Sequence, residues 1–188
     1  MEIMGKDPEK IQMVFLSHSH GDHTGGLWEL CAHNPGLEVS IPKSFPMGFD
    51  EAAAGRGCKV IRIGSPREIS PGFFSMGEMG MWTREQSLIL DAGKGAILLT
   101  GCAHPGIMAV IKRAKALIPM EIRLVMGGYH LFSAGEWEIM KIIRSFHESG
   151  VERVCPCPCT GEGAVGLFRE SYREGYIEGG VGRVIEIS

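Results

Sequence analysis

The sequence predicts a single α/β domain, and three observations lead to that prediction. Short apolar runs alternate with amphipathic segments of helical spacing through the second half of the chain, which is the pattern of an α/β fold. Hydrophobic residues make up 44% of the chain and charged residues 22%, as in ordinary globular proteins. The length of 188 residues suits one domain over 1–188 and is short for two.

The first half of the chain is predicted to alternate strands with short helices. A compact apolar run ahead of a histidine-rich turn indicates a buried strand, and two glycines after the turn open a helix. A Gly/Ala-rich stretch between the next two strands also has helical character. The predicted strands cover 11–17, 37–41 and 59–63, and the first helix covers 27–33.

The segment 65–83 is expected to be a long loop, because it contains two prolines, several glycines and three aromatic residues. Such a loop covers a site in many proteins, although its aromatic residues would equally well anchor it to the core. A β-hairpin follows, with strands over 87–90 and 96–100 joined by the turn 91–95. The remaining predicted helices cover 107–118, 136–147 and 163–172, and the remaining strands cover 122–126, 151–155 and 184–187.

Charge and composition exclude several classes of partner. The net charge of −3 makes no case for nucleic acid or an anionic membrane as a partner. No stretch is apolar for the eighteen or so residues that a membrane helix needs, and the N-terminus lacks the pattern of a signal peptide. We therefore expect a cytoplasmic protein whose six cysteines are thiols rather than a disulfide framework.

The chemistry-bearing residues are concentrated in the stretch His18-Ser19-His20-Gly21-Asp22-His23. Alternate side chains of an extended segment point the same way, so His18 and His20 can reach one metal ion together. Gly21 then lets the chain bend, and Asp22 and His23 leave in another direction, towards a second ion. Imidazole and carboxylate ligands suit zinc, and also iron or manganese. A histidine-rich surface loop is the alternative.

Two later histidines follow strands in the same way. The strand 96–100 runs into a turn that carries His104, and the strand 122–126 runs into a Gly-Gly turn that carries His130. The carboxyl ends of strands are the ligand-binding edge of an open α/β sheet, so both histidines are candidate ligands. His33 and His147 lack this context and are expected on helix surfaces.

The pattern His18-x-His20-x-Asp22-His23, followed by Thr-Gly-Gly-Leu, resembles the signature of the metallo-β-lactamase superfamily. The later blocks LLTGCAHPGI, MGGYHL and CTG resemble its dihydropterin ribofuranosyl-aminobenzene phosphate synthase-like branch, linked to methanopterin biosynthesis. This resemblance implies an αββα sandwich with one or two metal ions at the sheet edges. It further implies that His18, His20 and His104 hold the first ion, and that Asp22, His23 and His130 hold the second.

The sequence departs from the family pattern in three places. Relatives carry several strands and an Asp-x-Gly motif before the His-x-His motif, whereas 17 residues precede it here, so we expect the N-terminal strands of the sandwich to be missing or supplied by another chain. Cys102 stands where many relatives have a bridging aspartate, and it is either a thiolate ligand or a buried structural thiol. Pro158 stands where the branch has a histidine before Cys-Thr-Gly.

The cysteines of the run 155–159 alternate with prolines, and their spacing differs from the Cys-x-x-Cys pairs of structural zinc sites. Separate metal binding by this run is therefore not expected, although sensitivity to oxidation stays open.

These observations lead to the hypothesis of a metal-dependent hydrolase or phosphate-ester-processing enzyme. Two adjacent ions would lower the pKa of a water between them and so supply hydroxide at neutral pH, with Asp22 taking up its proton and Tyr129 or Lys94 helping to bind an anionic small-molecule substrate. The resemblance suggests a phosphorylated or pterin-like substrate. The alternatives are a catalytically impaired metal-binding remnant or subunit of the same fold, and an iron-dependent redox member that needs a partner domain. We also expect a homodimer, because a sheet without its N-terminal strands would expose edges and apolar surface.

Overall fold

Two β-sheets form the centre of the protein, in a computed structural model that describes residues 4–187. A three-stranded sheet has the order β1-β2-β3, and a six-stranded sheet has the order β4-β5-β6-β7-β8-β9. The strands are β1 (Met13–Phe15), β2 (Glu38–Pro42), β3 (Lys59–Ile63), β4 (Arg67–Ser70), β5 (Phe73–Met79), β6 (Glu85–Asp91), β7 (Ala96–Leu99), β8 (Ile122–Gly127) and β9 (Arg153–Pro156). The helices are α1 (Gly21–Thr24), α2 (Leu27–His33), α3 (Phe49–Ala54), α4 (Ile107–Leu117), α5 (Glu136–Glu148) and α6 (Glu162–Tyr172).

The helices cover the outer faces of the two sheets, which gives four layers. The apolar faces of α4, α5 and α6 pack on the six-stranded sheet in one core cluster that includes Ile111, Ile143 and Phe168. Residues of α2 and α3 pack on the three-stranded sheet in a second cluster. The sheets face each other where β2 meets β6 and β3 meets β5. The predicted α/β class and αββα layering are confirmed.

The six-stranded sheet is antiparallel from β4 to β7 and parallel from β7 to β9. The predicted hairpin is β6–β7, and the helices α4 and α5 connect the parallel strands. Because β7, β8 and β9 run in the same direction, the turns that follow them meet at one edge of the sheet. The turn after β1 reaches the same place, since the backbone N–H of Gln86 in β6 donates to the Ser17 carbonyl at 2.9 Å.

The prediction of an irregular loop over 65–83 is wrong, because this segment contains the whole of β4 and β5. Its glycines are compatible with strand pairing, since β5 holds Gly77 in the left-handed region at a break in the β5–β6 register. Such a bulge accepts a glycine without ending the strand. The connection from β5 to β6 is the short turn 80–84, which carries Trp82.

The strand predicted over 184–187 is also not formed. The free edge of β9 is taken by a nearer segment, because the N–H of Ile177 donates to the Val154 carbonyl at 2.8 Å. Ile185 and Ile187 instead pack against a small apolar cluster that contains Leu124. None of the described helices is both long enough and apolar enough to cross a membrane.

The expectation that all six cysteines are thiols is corrected for one pair. Cys31 on the buried face of α2 and Cys58, the residue before β3, form a disulfide, with their Cα atoms 6.1 Å apart. This separation lies in the range that a disulfide bridges. The pairing depends on how α2 packs on the sheet, which the 27-residue sequence separation does not reveal. The other four cysteines are free.

Candidate metal centre

The histidine-rich segment leaves β1 at the edge where the two sheets meet. Two hydrogen bonds attach it to β6, from the N–H of Gln86 to the Ser17 carbonyl and from Gln86 Nε2 to the Leu16 carbonyl, both at 2.9 Å. His18 follows directly and is fully buried, whereas His20 is exposed. The segment is extended as far as His20, and the single turn of α1 begins at Gly21. The local backbone therefore has the extended and then bent course that the sequence indicates.

The first group of candidate ligands consists of His18, His20 and His104. One nitrogen from each ring lies within 4.8 Å of the other two. His18 Nε2 is 3.1 Å from His20 Nδ1, and the ring of His104 lies 4.8 Å from the ring of His18 and 4.9 Å from that of His20, measured between centroids. The structure therefore brings together the three residues predicted for the first ion.

The second group consists of His18, His23 and Cys102, whose ligand atoms also lie within 4.8 Å of one another. His23 Nε2 is 3.2 Å from Cys102 Sγ. The hydroxyl of Ser17 lies 3.0 Å from His18 Nδ1 and 3.4 Å from His23 Nδ1, so it orients both rings. His18 belongs to both groups, and the two candidate positions are therefore adjacent.

Asp22 and His130, predicted for the second ion, lie beside these groups rather than within them. The Asp22 carboxylate is 3.4 Å from His23 Nε2, but its side chain is 73% exposed. The His130 ring packs against the ring of His104 with 4.4 Å between centroids. Cys102 occupies the place in the second group that the resemblance assigns to these residues.

The donors of this cluster fit a metal ion. Two buried ring nitrogens, His104 Nε2 and His130 Nδ1, have no hydrogen-bond partner among the described residues. Nearly all buried polar atoms in proteins are hydrogen-bonded, so an unpartnered imidazole nitrogen calls for an explanation. A cation is a natural partner for such nitrogens, and imidazole with thiolate is a donor set that suits zinc or iron.

The electrostatics of the cluster keep its central histidine neutral. The pKa of His18 is lowered to about 3, mainly by burial and further by His23, His104 and His20, while Asp22 partly opposes them. Burial also lowers the pKa of His104, with Glu85 acting in the opposite direction. A histidine must be neutral to bind a metal, so this environment favours the ligand form. Burial, followed by the Cys159 thiol, raises the pKa of Cys102 far above its usual range.

Glu85 is a site residue that sequence reasoning missed. It is 1% exposed at the start of β6, and its carboxylate accepts four backbone N–H groups from the turn 101–104. Three of them reach Oε1 at 3.0–3.1 Å, and the N–H of His104 reaches Oε2 at 2.9 Å. This carboxylate therefore fixes the turn that carries Cys102 and His104. No sequence signal identifies it, because its partners are backbone groups far along the chain.

The turns that carry Cys102 and His130 are packed very closely. A Cβ on Gly128 would overlap the Cys159 sulfur and would lie 2.7 Å from the carbonyl oxygen of Gly101. The hydroxyl of Thr160 accepts the N–H of Tyr129 at 3.1 Å. The CTG block thus supports the turn before His130.

Two non-glycine residues of these turns have left-handed backbones, Ala103 with φ 58° and His130 with φ 53°. Such strain is frequent at functional sites, where the surrounding contacts hold it in place.

Two residues considered for anion binding lie elsewhere. Tyr129 is buried and donates its hydroxyl to the Val125 carbonyl at 2.8 Å, so it has no group free for a substrate. Lys94 lies in the turn between β6 and β7, at the opposite end of these strands from Glu85. The placement of His33 and His147 on exposed helix surfaces is confirmed.

The run 155–159 forms no ligand group of its own among the described residues. Burial raises the pKa of Cys155 to about 11.

Comparisons with known proteins agree with the fold and the motifs. A family model of the metallo-β-lactamase superfamily matches residues 1–114. The 7,8-dihydropterin-6-methyl-4-(β-D-ribofuranosyl)-aminobenzene-5′-phosphate synthase of Methanocaldococcus jannaschii is 26% identical over 231 aligned positions, which cover 99% of this chain and 79% of that protein. The resemblance to that branch is thereby confirmed.

Solved structures extend the comparison. The crystal structure of Tm1679, a metal-dependent hydrolase of the β-lactamase superfamily, is 27% identical and superposes with a TM-score of 0.81 over 100% of this chain and 83% of that one. The metallo-β-lactamase fold protein YhfI of Bacillus subtilis is 14% identical and has a TM-score of 0.64 over 93% and 76% of the two chains, and it supports the fold alone. The family model covers more than half of the chain, and the protein therefore belongs to the metallo-β-lactamase superfamily.

Proposed function

We propose that the protein is a metal-dependent hydrolase of esters, including phosphate esters, and that the histidine cluster is its active centre. The observation that carries this proposal is the pair of adjacent ligand groups that share His18. Two buried imidazole nitrogens with no partner among residues 4–187 lie in the same cluster, and the similarity to a metal-dependent hydrolase of the same superfamily supports the same interpretation.

In this proposal, His18, His20 and His104 hold one ion, and His23 and Cys102 hold a second one, with Asp22 and His130 completing its surroundings. We expect zinc, with iron or manganese as alternatives. Such an ion would act as a Lewis acid, which would lower the pKa of a bound water and stabilise negative charge on substrate oxygens.

The chain's own residues then have distinct tasks. Asp22 is the candidate general base, because its exposed carboxylate lies next to His23 and can take up a proton at Oδ2. Ser17 and Glu85 do not touch the substrate but hold the rings and the turn in position. The exposure of His20 leaves this side of the cluster open to a substrate.

We further propose a small anionic substrate and a cytoplasmic location. The similarity to the archaeal synthase supports a phosphorylated or pterin-like compound, since the product named for that enzyme is a dihydropterin that carries a phosphate. The net charge of −3 supports neither nucleic acid nor an anionic membrane as a partner.

One observation favours a second candidate, a metal-binding subunit without turnover. Pro158 stands where the resembled branch has a histidine, and it begins a short 3-10 turn beside the site. No imidazole is therefore available from that position as a ligand or a proton carrier.

The test combines metal analysis with a substrate panel. Protein purified without chelator is analysed for zinc, iron and manganese and is assayed on phosphodiesters, phosphomonoesters and thioesters. His20→Ala is expected to lower both the metal content and the turnover, whereas the control His33→Ala on the exposed end of α2 leaves both unchanged. Metal retained by wild type without turnover on any ester would support the subunit instead. Equal metal content in wild type and His20→Ala would remove His20 from the centre.

A further inference from the structure

A cleft of about 330 Å³ opens beside the histidine cluster, on the side of His20. One wall is the segment 44–46 that follows β2, and the other wall is the turn 82–84 between β5 and β6. Its volume lies within the range of ordinary small-molecule sites. Because His20 lines the cleft and also belongs to the first ligand group, a molecule bound there would reach the proposed metal centre.

The wall 44–46 is held rigidly by Arg62. The guanidinium donates to the carbonyls of Lys43 at 2.7 Å, Phe45 at 2.9 Å and Pro46 at 3.3 Å, and it is paired with the carboxylate of Asp50. On the other side, the N–H of Ser44 donates to the Glu78 carboxylate. This wall is therefore formed before any ligand binds.

The opposite wall combines an aromatic side chain with a positive charge. Trp82 is 94% exposed, and Arg84 is exposed and makes no hydrogen bond or ion pair with any described residue. Gly80 keeps this turn tight, because its φ is +94° and a Cβ there would overlap the carbonyl oxygen of Thr83. Arg84 directly precedes the buried Glu85, whose carboxylate supports the turn that carries Cys102 and His104.

The composition of the cleft restricts what it can bind. Arg84 is the one residue with a permanent charge among the described lining residues, and none of these is acidic. An exposed apolar side chain also stands next to each wall in the sequence, Met47 after the wall 44–46 at 99% exposure and Met81 before the wall 82–84 at 78%. An anionic group is attracted to a guanidinium, and a planar ring gains contact area against an indole face.

We propose that this cleft binds an ester with a planar aromatic group and a phosphate or similar anion, in which Trp82 contacts the ring and Arg84 contacts the anion. The inference rests on the proposed hydrolytic function and adds the substrate class and two specificity-determining residues. Trp82 and Arg84 bind the substrate and take no part in proton transfer.

The test measures binding rather than turnover, with two unreactive probes that differ only in the ring. Phenylphosphonate and methylphosphonate are titrated calorimetrically into the protein as purified. Wild type is expected to bind phenylphosphonate about fivefold more tightly than methylphosphonate, which is the size of effect that one aromatic contact gives. This ratio of the two dissociation constants is the quantity compared between variants. Trp82→Ala should bring this ratio close to one. Arg84→Ala should weaken both probes by about five- to tenfold and leave the ratio intact.

Two control variants match these substitutions. Trp137 on α5 is also exposed, at 79%, and Arg67 in β4 is an exposed arginine outside the cleft. Trp137→Ala and Arg67→Ala should bind both probes as wild type does. A ratio that survives Trp82→Ala, or an equal effect of the controls, overturns the proposal. The same holds if Trp82→Ala changes the molecular mass in solution but not the binding, because Trp82 would then contact a second copy of the chain.

Failure of the two proposals can be told apart. If the ratio depends on Trp82 but no ester is turned over, the binding inference stands and the hydrolytic function fails. If esters are hydrolysed but aromatic and aliphatic probes bind alike, the function stands and the cleft inference fails.

Discussion

Replacing Glu85 by glutamine removes the carboxylate that holds the turn 101–104. Four backbone N–H groups donate to it, three to Oε1 and one to Oε2, at 2.9–3.1 Å. A glutamine has the same shape, but its amide offers only one acceptor oxygen. If that oxygen replaces Oε1, the amide NH₂ group meets the N–H of His104, and two donors then face each other in a buried site.

The loss can be estimated from these contacts. A hydrogen bond to a charged group contributes about 1.5–3 kcal/mol, and a buried donor without a partner costs about 1–3 kcal/mol. Because contacts within one network are not additive, we expect a total of about 3 kcal/mol rather than the sum over four bonds. With a urea dependence of about 2 kcal/mol per molar, the unfolding midpoint of Glu85→Gln should fall by about 1.5 M.

The assay is urea unfolding of metal-free protein, followed by circular dichroism. Glu68→Gln is the matched control, since Glu68 is exposed and accepts one backbone N–H, from Gly72 at 3.0 Å. It should change the free energy of unfolding by less than about 0.5 kcal/mol. Equal midpoints for Glu85→Gln and Glu68→Gln would refute the reasoning that this carboxylate organises the site.

Three further predictions follow from the packing and the charges. Gly128→Ala should lower the free energy of unfolding by about 1–3 kcal/mol, because the added methyl group overlaps the Cys159 sulfur. Gly163→Ala is the control and should not destabilise the protein, because the space around Gly163 is open. Thermal unfolding of both variants tests this prediction. The pKa of His18 is about 3 in the folded protein and 6.5 in an ordinary exposed histidine. As the pH falls from about 6.5 to about 3, the His18 ring therefore takes up a proton in the unfolded chain but not in the folded one. In this pH range, the free energy of unfolding of the metal-free protein should fall by up to about 1.4 kcal/mol per pH unit. An equally steep fall in His18→Asn would contradict this prediction. We also expect a homodimer, and a monomeric mass by light scattering at micromolar concentration would count against it.

The sequence predicts most of the fold because the pattern of each element is local. The helix over 27–33 and the strand over 59–63 have the bounds found in the structure. The segment 65–83 was misassigned, since its glycines and prolines look like loop residues until their strand partners are known. The Cys31–Cys58 disulfide is equally a product of tertiary packing.

The candidate site also contains residues that the sequence indicates and residues that only the tertiary structure reveals. His18, His20 and His104 could be named as candidate ligands from the sequence, because they follow strands whose carboxyl ends form the ligand-binding edge of the sheet. Their assignment to one ion came from the family resemblance, and the structure brings the three side chains together. Glu85 could not be found, since a carboxylate that binds only backbone groups leaves no motif. The place of Cys102 beside His23 depends on how two turns fold together, and the sequence left its role open.

The most direct test of the account is an anomalous-scattering and elemental measurement on crystals of untreated protein. We expect at least one ion per chain, located among the imidazole nitrogens of His18, His20 and His104. Protein that contains no metal after purification without chelator, and that takes up none from added zinc, iron or manganese, would contradict it.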